Sequence, residues 1–505
     1  MGNIKLTGMS SGLDTESIIT ELVKAKSTKL DTLKGEQKKL QWKQDAWKEL
    51  NSKVYSFYSS TLSDMRYKSS YAKKTTKSSS SAVSVVTGSS APNVEQTLKI
   101  KQMAKAGYIT GGKLSSDGSV TTSTKLCDSK SDGGLGVTSG SKITLTKTSG
   151  ESYDIEINDS TTLNDVVKEL KNAGVNANFD AKQQRLYISS SAAGEANGFE
   201  ITGDDATLSA LGLKAAADGA DVTDKDAVII KAQDAKITLN GAEYSSTTNS
   251  FEINGLTLTV NNMTDDEISL STTEDYDGIY DMIKNFFTEY NKLINEMDSL
   301  YNADSAEDYD MLTDDEKDEM SDSEIEDWEN KIKDALLRRD STLNTVADAM
   351  KTIMLSGVTM SDGSVKYLSD FGINTLGYFT AADNEKNAYH IDGDSDDSST
   401  SSNEDKLRAA IATDPTSVSD FFSGLARNLY DKINGLMKAT TYSSSFTLYN
   451  DKEMTSQYSD YDDKISDQED AIEDFEDRWY SKFSAMETAL SKLESKSSAV
   501  SSLLG

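Results

Sequence analysis

Apolar residues recur with a seven-residue spacing near both ends of this 505-residue chain. The N-terminal rows consist of Leu33, Leu40, Trp47, Val54, Leu50 and Phe57. Near the other end, a row runs from Tyr461 to Leu493 in steps of three and four, with two consecutive four-residue steps around Trp479. Such heptad spacing is typical of a coiled coil or a long helical hairpin. It predicts a long helix at each end, the first one capped by Asp14.

Between these ends the pattern changes to alternating apolar and polar residues, over about residues 75–270. Strands are predicted at 81–88, 95–104, 141–148, 152–159 and 184–194. A short capped helix is predicted to end at Gly174, with another strand after it. The Asn-Gly pairs at 240–241 and 254–255 predict hairpin turns that divide 234–262 into three strands.

The helical pattern returns at Tyr276. Apolar residues mark one helix face over 276–302, and helical text continues to about Leu355. Residues 363–395 read as strands and turns, and 404–439 are helical again. We therefore predict an α+β multidomain protein: long N- and C-terminal coiled-coil helices and a helical domain flank an inserted β-rich middle of two domains.

The two terminal helices carry opposite charge. Residues 21–53 hold nine lysines against five acidic residues, whereas 461–478 hold nine acidic residues against two basic ones. Opposite charge on two long amphipathic helices predicts that they pair, within one chain or between neighbouring chains. The alternative is two solvated helices that never meet.

The whole chain is acidic, with 84 acidic and 52 basic residues and a net charge of −32. Such a surface repels nucleic acid and anionic membranes, so neither is an expected partner. Cys127 is the one cysteine and His390 the one histidine, which excludes an intrachain disulfide and a His-rich zinc site. No apolar run predicts a signal peptide core or a membrane span.

Two acidic segments are the candidates for metal binding. Residues 304–334 could form a cation site, but we favour a solvated acidic surface with capping boxes at Thr313 and Ser321. Residues 392–403 begin like a calcium loop but lack the glycine and the final glutamate of that motif, so we predict a flexible turn. His390 is predicted to be an ordinary packed or surface residue. We expect no catalytic residue, no cofactor and no metal, and hence no enzyme.

Four stretches, taken together, resemble the flagellar filament cap (FliD) family, whose members are also described as hook-associated proteins. They are 8–57 with its "SGLDTESII" start, 312–343 with "LLRRDSTL", "LSDFGINT" followed by 403–424, and the C-terminal 461–505. Together these stretches span roughly 40% of the chain and occur in the family's order. Residues 105–230 resemble no named sequence, as expected for this family's variable outer region.

The resemblance implies a structural cap on the bacterial flagellar filament. Several copies, about five, would form a plate at the tip that promotes folding and insertion of exported flagellin and prevents its loss. It further implies hook–filament junction proteins and a cytoplasmic export chaperone as partners. Secretion would follow the flagellar type III pathway to the extracellular tip of the flagellum.

The resemblance and the patterns together predict five segments. They are an N-terminal flexible coiled-coil leg segment (1–45), a helical leg domain (46–75 with 273–459), a β-rich head domain (76–107 with 231–272), an outer variable α/β head domain (108–230) and a C-terminal coiled-coil leg segment (460–505).

The terminal helices carry the predicted partner-binding residues, toward flagellin and neighbouring cap copies. These are Leu13, Ile18, Leu22, Leu33, Leu40, Phe483, Met486, Leu490 and Leu493. Exposed heptad faces predict that these helices order only against a partner. The alternative for each residue is ordinary packing within the chain, which we prefer for Trp47, Val54, Ile472 and Phe475.

Three other functions stay open at this point. A surface adhesin could bind mucin or host glycans through the β-rich middle. Another axial component of the flagellum, such as flagellin or a junction protein, would lack the 312–343 and 403–424 stretches. An enzyme is the remotest alternative.

Overall fold

The computed structural model describes residues 12–504 except 378, 380, 383 and 384, with side chains up to Ser501. Its helices are α1 Thr15–Ser59, α2 Thr61–Met65, α3 Leu163–Asn172, α4 Asp205–Ala210, α5 Tyr276–Tyr301, α6 Asp314–Asp318, α7 Asp322–Asp334, α8 Ser341–Leu355, α9 Lys406–Thr413, α10 Pro415–Leu436 and α11 Asp451–Leu504. None of these helices is long and apolar enough to cross a membrane.

The strands alternate with short loops and turns. They are β1 Lys74–Ser78, β2 Val83–Thr87, β3 Glu95–Gln102, β4 Ala106–Thr110, β5 Lys142–Lys147, β6 Ser152–Glu156, β7 Asn176–Asp180, β8 Arg185–Ala193, β9 Phe199–Gly203, β10 Val228–Ile230, β11 Ala235–Leu239, β12 Ala242–Ser246, β13 Ser250–Ile253, β14 Leu256–Val260, β15 Ile268–Glu274, β16 Val358–Thr359, β17 Val365–Lys366, β18 Ile373–Thr375 and β19 Tyr389–Ile391.

The chain divides into two compact units. The helical unit comprises Met1–Tyr71 with Tyr276–Gly505, and the β-rich unit is Ala72–Asp275. The predicted fold class, long terminal helices and a helical domain around an inserted β-rich middle, is therefore confirmed. The finer division into five segments stays a prediction.

One apolar core holds the helical unit together. The inner half of α1 contributes Trp47, Leu50 and Val54, each at most 2% exposed. Phe57 on the next turn lies 5.6 Å from the ring of Phe286 on α5. Burial of such large side chains contributes about 1.5–3 kcal/mol each, so this half of α1 is an integral part of the core.

Local signals set several helix ends in this unit. Thr313 and Ser321 form the predicted capping boxes at the starts of α6 and α7. The backbone hydrogen bond from Thr313 lowers the pKa of Glu316, because it favours the ionised carboxylate. The helical stretch predicted at 404–439 is two helices, since Asp414 caps a new helix that begins at Pro415.

The β-rich unit contains four antiparallel sheets. Their strand orders are β1-β15-β3-β11-β12, β10-β4-β8-β7, β13-β14-β2 and β6-β5-β9. Two separate apolar clusters lie within the unit, one formed by residues between Ile109 and Ala227 and the other by flanking residues such as Leu98 and Leu258. The helix predicted before Gly174 is α3, and its Thr162 and Asp165 form a capping box.

Both predicted Asn-Gly turns are present. Asn240 and Asn254 each have φ 48°, and the glycines that follow have φ 84° and 81°, as a two-residue hairpin turn of type I′ requires. The prediction of three strands over 234–262 is wrong, because the middle one is divided into β12 and β13 in different sheets. The Ser246 hydroxyl donates to the Ser250 carbonyl at 2.9 Å and so closes a turn between them.

Candidate partner-binding helices

Helices α1 and α11 pair in an antiparallel arrangement. Lys34 Nζ lies 2.8 Å from Glu469 Oε1, and Gln37 Nε2 donates to Asp462 Oδ1 at 2.5 Å. Toward the other end, the Lys26 ammonium lies 5.9 Å from the ring centre of Phe475. The pairing predicted from opposite charge is therefore confirmed, and it forms within one chain.

The inner heptad positions pack inside the chain, as predicted. Trp47 and Val54 are buried, and the Trp47 ring stacks on Tyr449 with 5.5 Å between centroids. Ile472 and Phe475 on α11 are half-buried. These residues are accounted for by intrachain packing.

Three of the nine predicted partner-binding residues are exposed. Leu13 is 50% exposed, Ile18 40% and Leu493 65%. The other six are half-buried: Leu22, Leu33, Leu40, Phe483, Met486 and Leu490. Because the helices are antiparallel, the start of α1 and the C-terminal part of α11 lie at the same end of the pair. The structure thus brings the exposed apolar residues to one end of the helix pair.

One residue of this region was missed by the sequence analysis. Ile19 is 2% exposed, although its neighbour Ile18 was selected. Counting back by sevens from Leu33 leads to Lys26 and then to Ile19. The heptad spacing therefore contained the signal that Ile19, and not Ile18, belongs to the buried row.

The start of α1 follows the prediction. Ser17 N donates to Asp14 Oδ1 at 3.0 Å, and this backbone hydrogen bond lowers the pKa of Asp14. Residues 15–45, predicted to be partly flexible, are helical throughout. The predicted glycine-serine lead at 1–11 lies outside the described residues.

The acidic segment 304–334 lies against α1. Asp315 Oδ2 is 2.5 Å from Lys24 Nζ. A Cβ added at Gly35 would come 3.0 Å from Met311 Cβ, so the missing side chain permits this close approach. The segment is thus neither wholly solvated nor a cation site, because part of its charge faces the lysines of α1.

Internal contacts also order this segment. Trp328 Nε1 donates to the Asp310 carbonyl at 2.8 Å, and Lys317 Nζ lies 2.9 Å from Glu329 Oε1. Burial raises the pKa of Glu329, but the hydrogen bonds and charges of Lys317 and Lys333 outweigh burial and leave the pKa lowered. Across the described part of the chain, no three His, Cys, Asp or Glu residues are grouped as metal ligands.

The loop that resembles a calcium site contains a lysine from another element. Lys284 Nζ of α5 lies 2.6 Å from Asp394 Oδ1 and 2.6 Å from Asp396 Oδ2. His390 Nδ1 lies 2.6 Å from Asp397 Oδ2 in the same loop. An ammonium group thus neutralises the carboxylates at the place where a calcium loop would hold its ion. The predicted turn is present and is anchored by ion pairs.

These features define a modular α+β protein whose candidate functional surface is a pair of terminal helices. The family model for the C-terminal region of flagellar hook-associated protein 2 (FliD_C) matches residues 232–495, and the N-terminal model (FliD_N) matches 11–107. The chain belongs to the FliD, or flagellar hook-associated protein 2, family. The resemblance predicted from the four sequence stretches is confirmed.

Relatives match along nearly the whole chain. The flagellar hook-associated protein 2 of Halalkalibacterium halodurans is 24% identical over 97% of both chains. That of Escherichia coli K12 is 27% identical over 99% of this chain and 97% of its own. The crystal structure of the D1-D2-D3 domains of the E. coli flagellar cap protein FliD has a TM-score of 0.49 at 21% identity, covering 82% of this chain and 99% of its own. Membership of this family supports the predicted cap function and gives no support to the adhesin alternative.

Proposed function

We propose that this protein caps the flagellar filament and that its terminal helices are the parts that contact the filament. Family membership along nearly the whole chain is the observation that carries the proposal. The cap lies at the flagellum tip, associates with filament components and is built from several copies of the chain. It retains exported flagellin long enough for each subunit to fold and insert.

The binding surface comprises residues 1–45 and 460–505. Leu13, Ile18 and Leu493 are its most accessible apolar groups. Burying one such side chain against a partner stabilises a complex by about 1.5–3 kcal/mol relative to leaving it in water. The half-buried residues of the same helices, from Leu22 to Leu40 and from Phe483 to Leu490, extend this surface along the pair. They join the contact when the partner covers their exposed portion.

The other partners follow from the same role. The chain is exported by the flagellar type III pathway with the help of a cytoplasmic chaperone, and the cap also meets hook–filament junction proteins. About five copies form the plate. The function is structural, with no catalytic step.

A deletion strain provides the main test. We expect the null strain to release unpolymerised flagellin into the medium, and the full-length chain to restore filaments. A chain of residues 46–460 should not restore them, because it lacks both outer helix segments. Normal filaments in the null strain would contradict the cap function.

Point variants locate the binding surface more closely. Ile18→Asp places a charge at an exposed apolar position, and we expect more flagellin in the medium with little change in thermal stability. Thr20→Asp, two residues away and also exposed, is the matched control and should behave like the natural chain. Equal flagellin release from the two variants would show that Ile18 is not in the contact.

A further inference from the structure

The four-stranded sheet β10-β4-β8-β7 has one buried and one open face. On the buried face Ile109, Leu186 and Ile188 join the larger core of the β-rich unit. Side chains alternate along each strand, so the residues between them point to the other side. That side bears Tyr108 and Tyr187, whose rings lie 6.5 Å apart.

The open face carries no charge over two adjacent rows of the sheet. Ile230 lies opposite Tyr108, and Val228 lies opposite Thr110, which in turn pairs with Tyr187. Asn176 and Asn178 complete the rows on β7. Val228 and Ile230 are each 47% exposed and Tyr108 is 36% exposed.

Charge surrounds this face. Residues 108–230 hold 18 acidic and 11 basic residues, yet none stands in the two rows. The next row of the sheet pairs Arg185 with Asp180, and Arg185 also lies 3.1 Å from Asp224. A tyrosine-bearing, uncharged centre with a charged rim is the composition of a protein–protein interface.

Strand β10 adds a free edge to this face. It pairs with β4 alone among the described strands, so its other side presents backbone groups without a strand partner. All three of its residues, Val228, Ile229 and Ile230, are 47% exposed. An exposed apolar edge strand is a site of association unless it is covered.

We propose that the uncharged face of this sheet, with strand β10, is a contact between copies of this chain. Two chains of net charge −32 repel each other over most of their surfaces. Their approach is favoured only where both surfaces lack charge and can exclude water from apolar groups. A strongly basic partner would be attracted to the acidic surfaces instead, so a second copy fits this face best.

The inference rests on the proposed function insofar as a cap requires several copies. It is tested without flagellin or filaments, so its failure would leave the role of the terminal helices untouched. Sedimentation velocity of the full-length chain over a concentration series measures the mass of the species present. We expect the natural chain to self-associate and Tyr108→Glu to weaken this self-association about tenfold or more, since it introduces a charge into the contact.

Two further variants make this result specific. Tyr244→Glu is the matched control, because Tyr244 on β12 is 37% exposed and lies on a different sheet. It should associate like the natural chain. Asn178→Lys alters an exposed polar position that makes no core contact, so it should fold normally and also weaken association. Unchanged masses for Tyr108→Glu and Asn178→Lys, or a natural chain that is monomeric throughout, would overturn the proposal.

A sugar ligand is the other occupant that tyrosines and asparagines could serve. A glycan array with the same variants tests this directly. Glycan binding that both face variants abolish, with masses unchanged, would overturn the self-contact in favour of a carbohydrate site.

Discussion

The two halves of α1 share one heptad row but have different surroundings. In the inner half, Trp47, Leu50 and Val54 are buried in the core of the helical unit. In the outer half, Leu22 and Leu33 are only half-buried, and Ile18 is exposed. The comparison shows that a heptad period predicts which residues share a helix face, whereas the elements packed against that face decide how deeply they are buried.

The same substitution in both halves should give the largest difference. Leu50→Ala is expected to lower the free energy of unfolding by about 3 kcal/mol, because it leaves a cavity in a closed core. Leu22→Ala should lower it by about 1 kcal/mol, since that side chain is already partly in water. Urea denaturation followed by circular dichroism measures both. Equal losses would show that the two halves are equally part of the core.

Neighbouring isoleucines test the outer half alone. Ile19→Ala should destabilise by about 2 kcal/mol, because Ile19 is 2% exposed. Ile18→Ala should change stability by less than about 0.5 kcal/mol, as is usual for an exposed position. The measurement is the same urea titration. A larger loss for Ile18 than for Ile19 would contradict the orientation of α1.

Salt should affect the outer half more than the inner half. The Lys34–Glu469 side chains are each 51% exposed, so this pair contributes about 1 kcal/mol or less and is screened at high ionic strength. Hydrogen exchange at 0.1 and 1 M NaCl should show faster exchange around 24–37 and no change at 47–57. Loss of protection at the inner residues would instead indicate that charge holds the whole helix.

The smallest expected effect is at the first turn of α1. The hydrogen bond from Ser17 lowers the folded-state pKa of Asp14, so its stabilising effect is complete above the unfolded pKa and is lost as pH falls through the lower folded pKa. Exchange of the first-turn amides should therefore quicken, after correction for intrinsic rates, below about pH 4. Asp14→Ala should exchange quickly at every pH. A pH response retained in that variant would contradict the role of Asp14.

Much of the helical architecture could be predicted from the sequence. The heptad rows predicted α1 and α11, and their opposite charge predicted their pairing. Thr313 and Ser321 marked helix starts through hydrogen bonds that are local in sequence. These signals succeed because the partner groups lie within a few residues or repeat over many turns.

Contacts between distant segments escaped the sequence analysis. Strand β1, "KTTKS", has no apolar alternation, and a hydrogen bond of 2.8 Å between Thr76 and Thr272 joins it to β15 instead. Lys284 is 110 residues from Asp394, and no local pattern links them. The close approach of Met311 to Gly35 depends on tertiary packing in the same way. Among the candidate site residues, Ile18 was chosen over Ile19 because the apolar stripe was not counted back through Lys26.

Hydrogen exchange of the full-length chain with and without purified flagellin tests the central claim most directly. Binding of flagellin should slow exchange at the outer parts of the terminal helices, around 13–40 and 483–493, and leave 47–57 unchanged. No slowing in the outer segments at saturating flagellin, or slowing confined to Ala72–Asp275, would contradict the assignment of the terminal helices as the surface that holds flagellin.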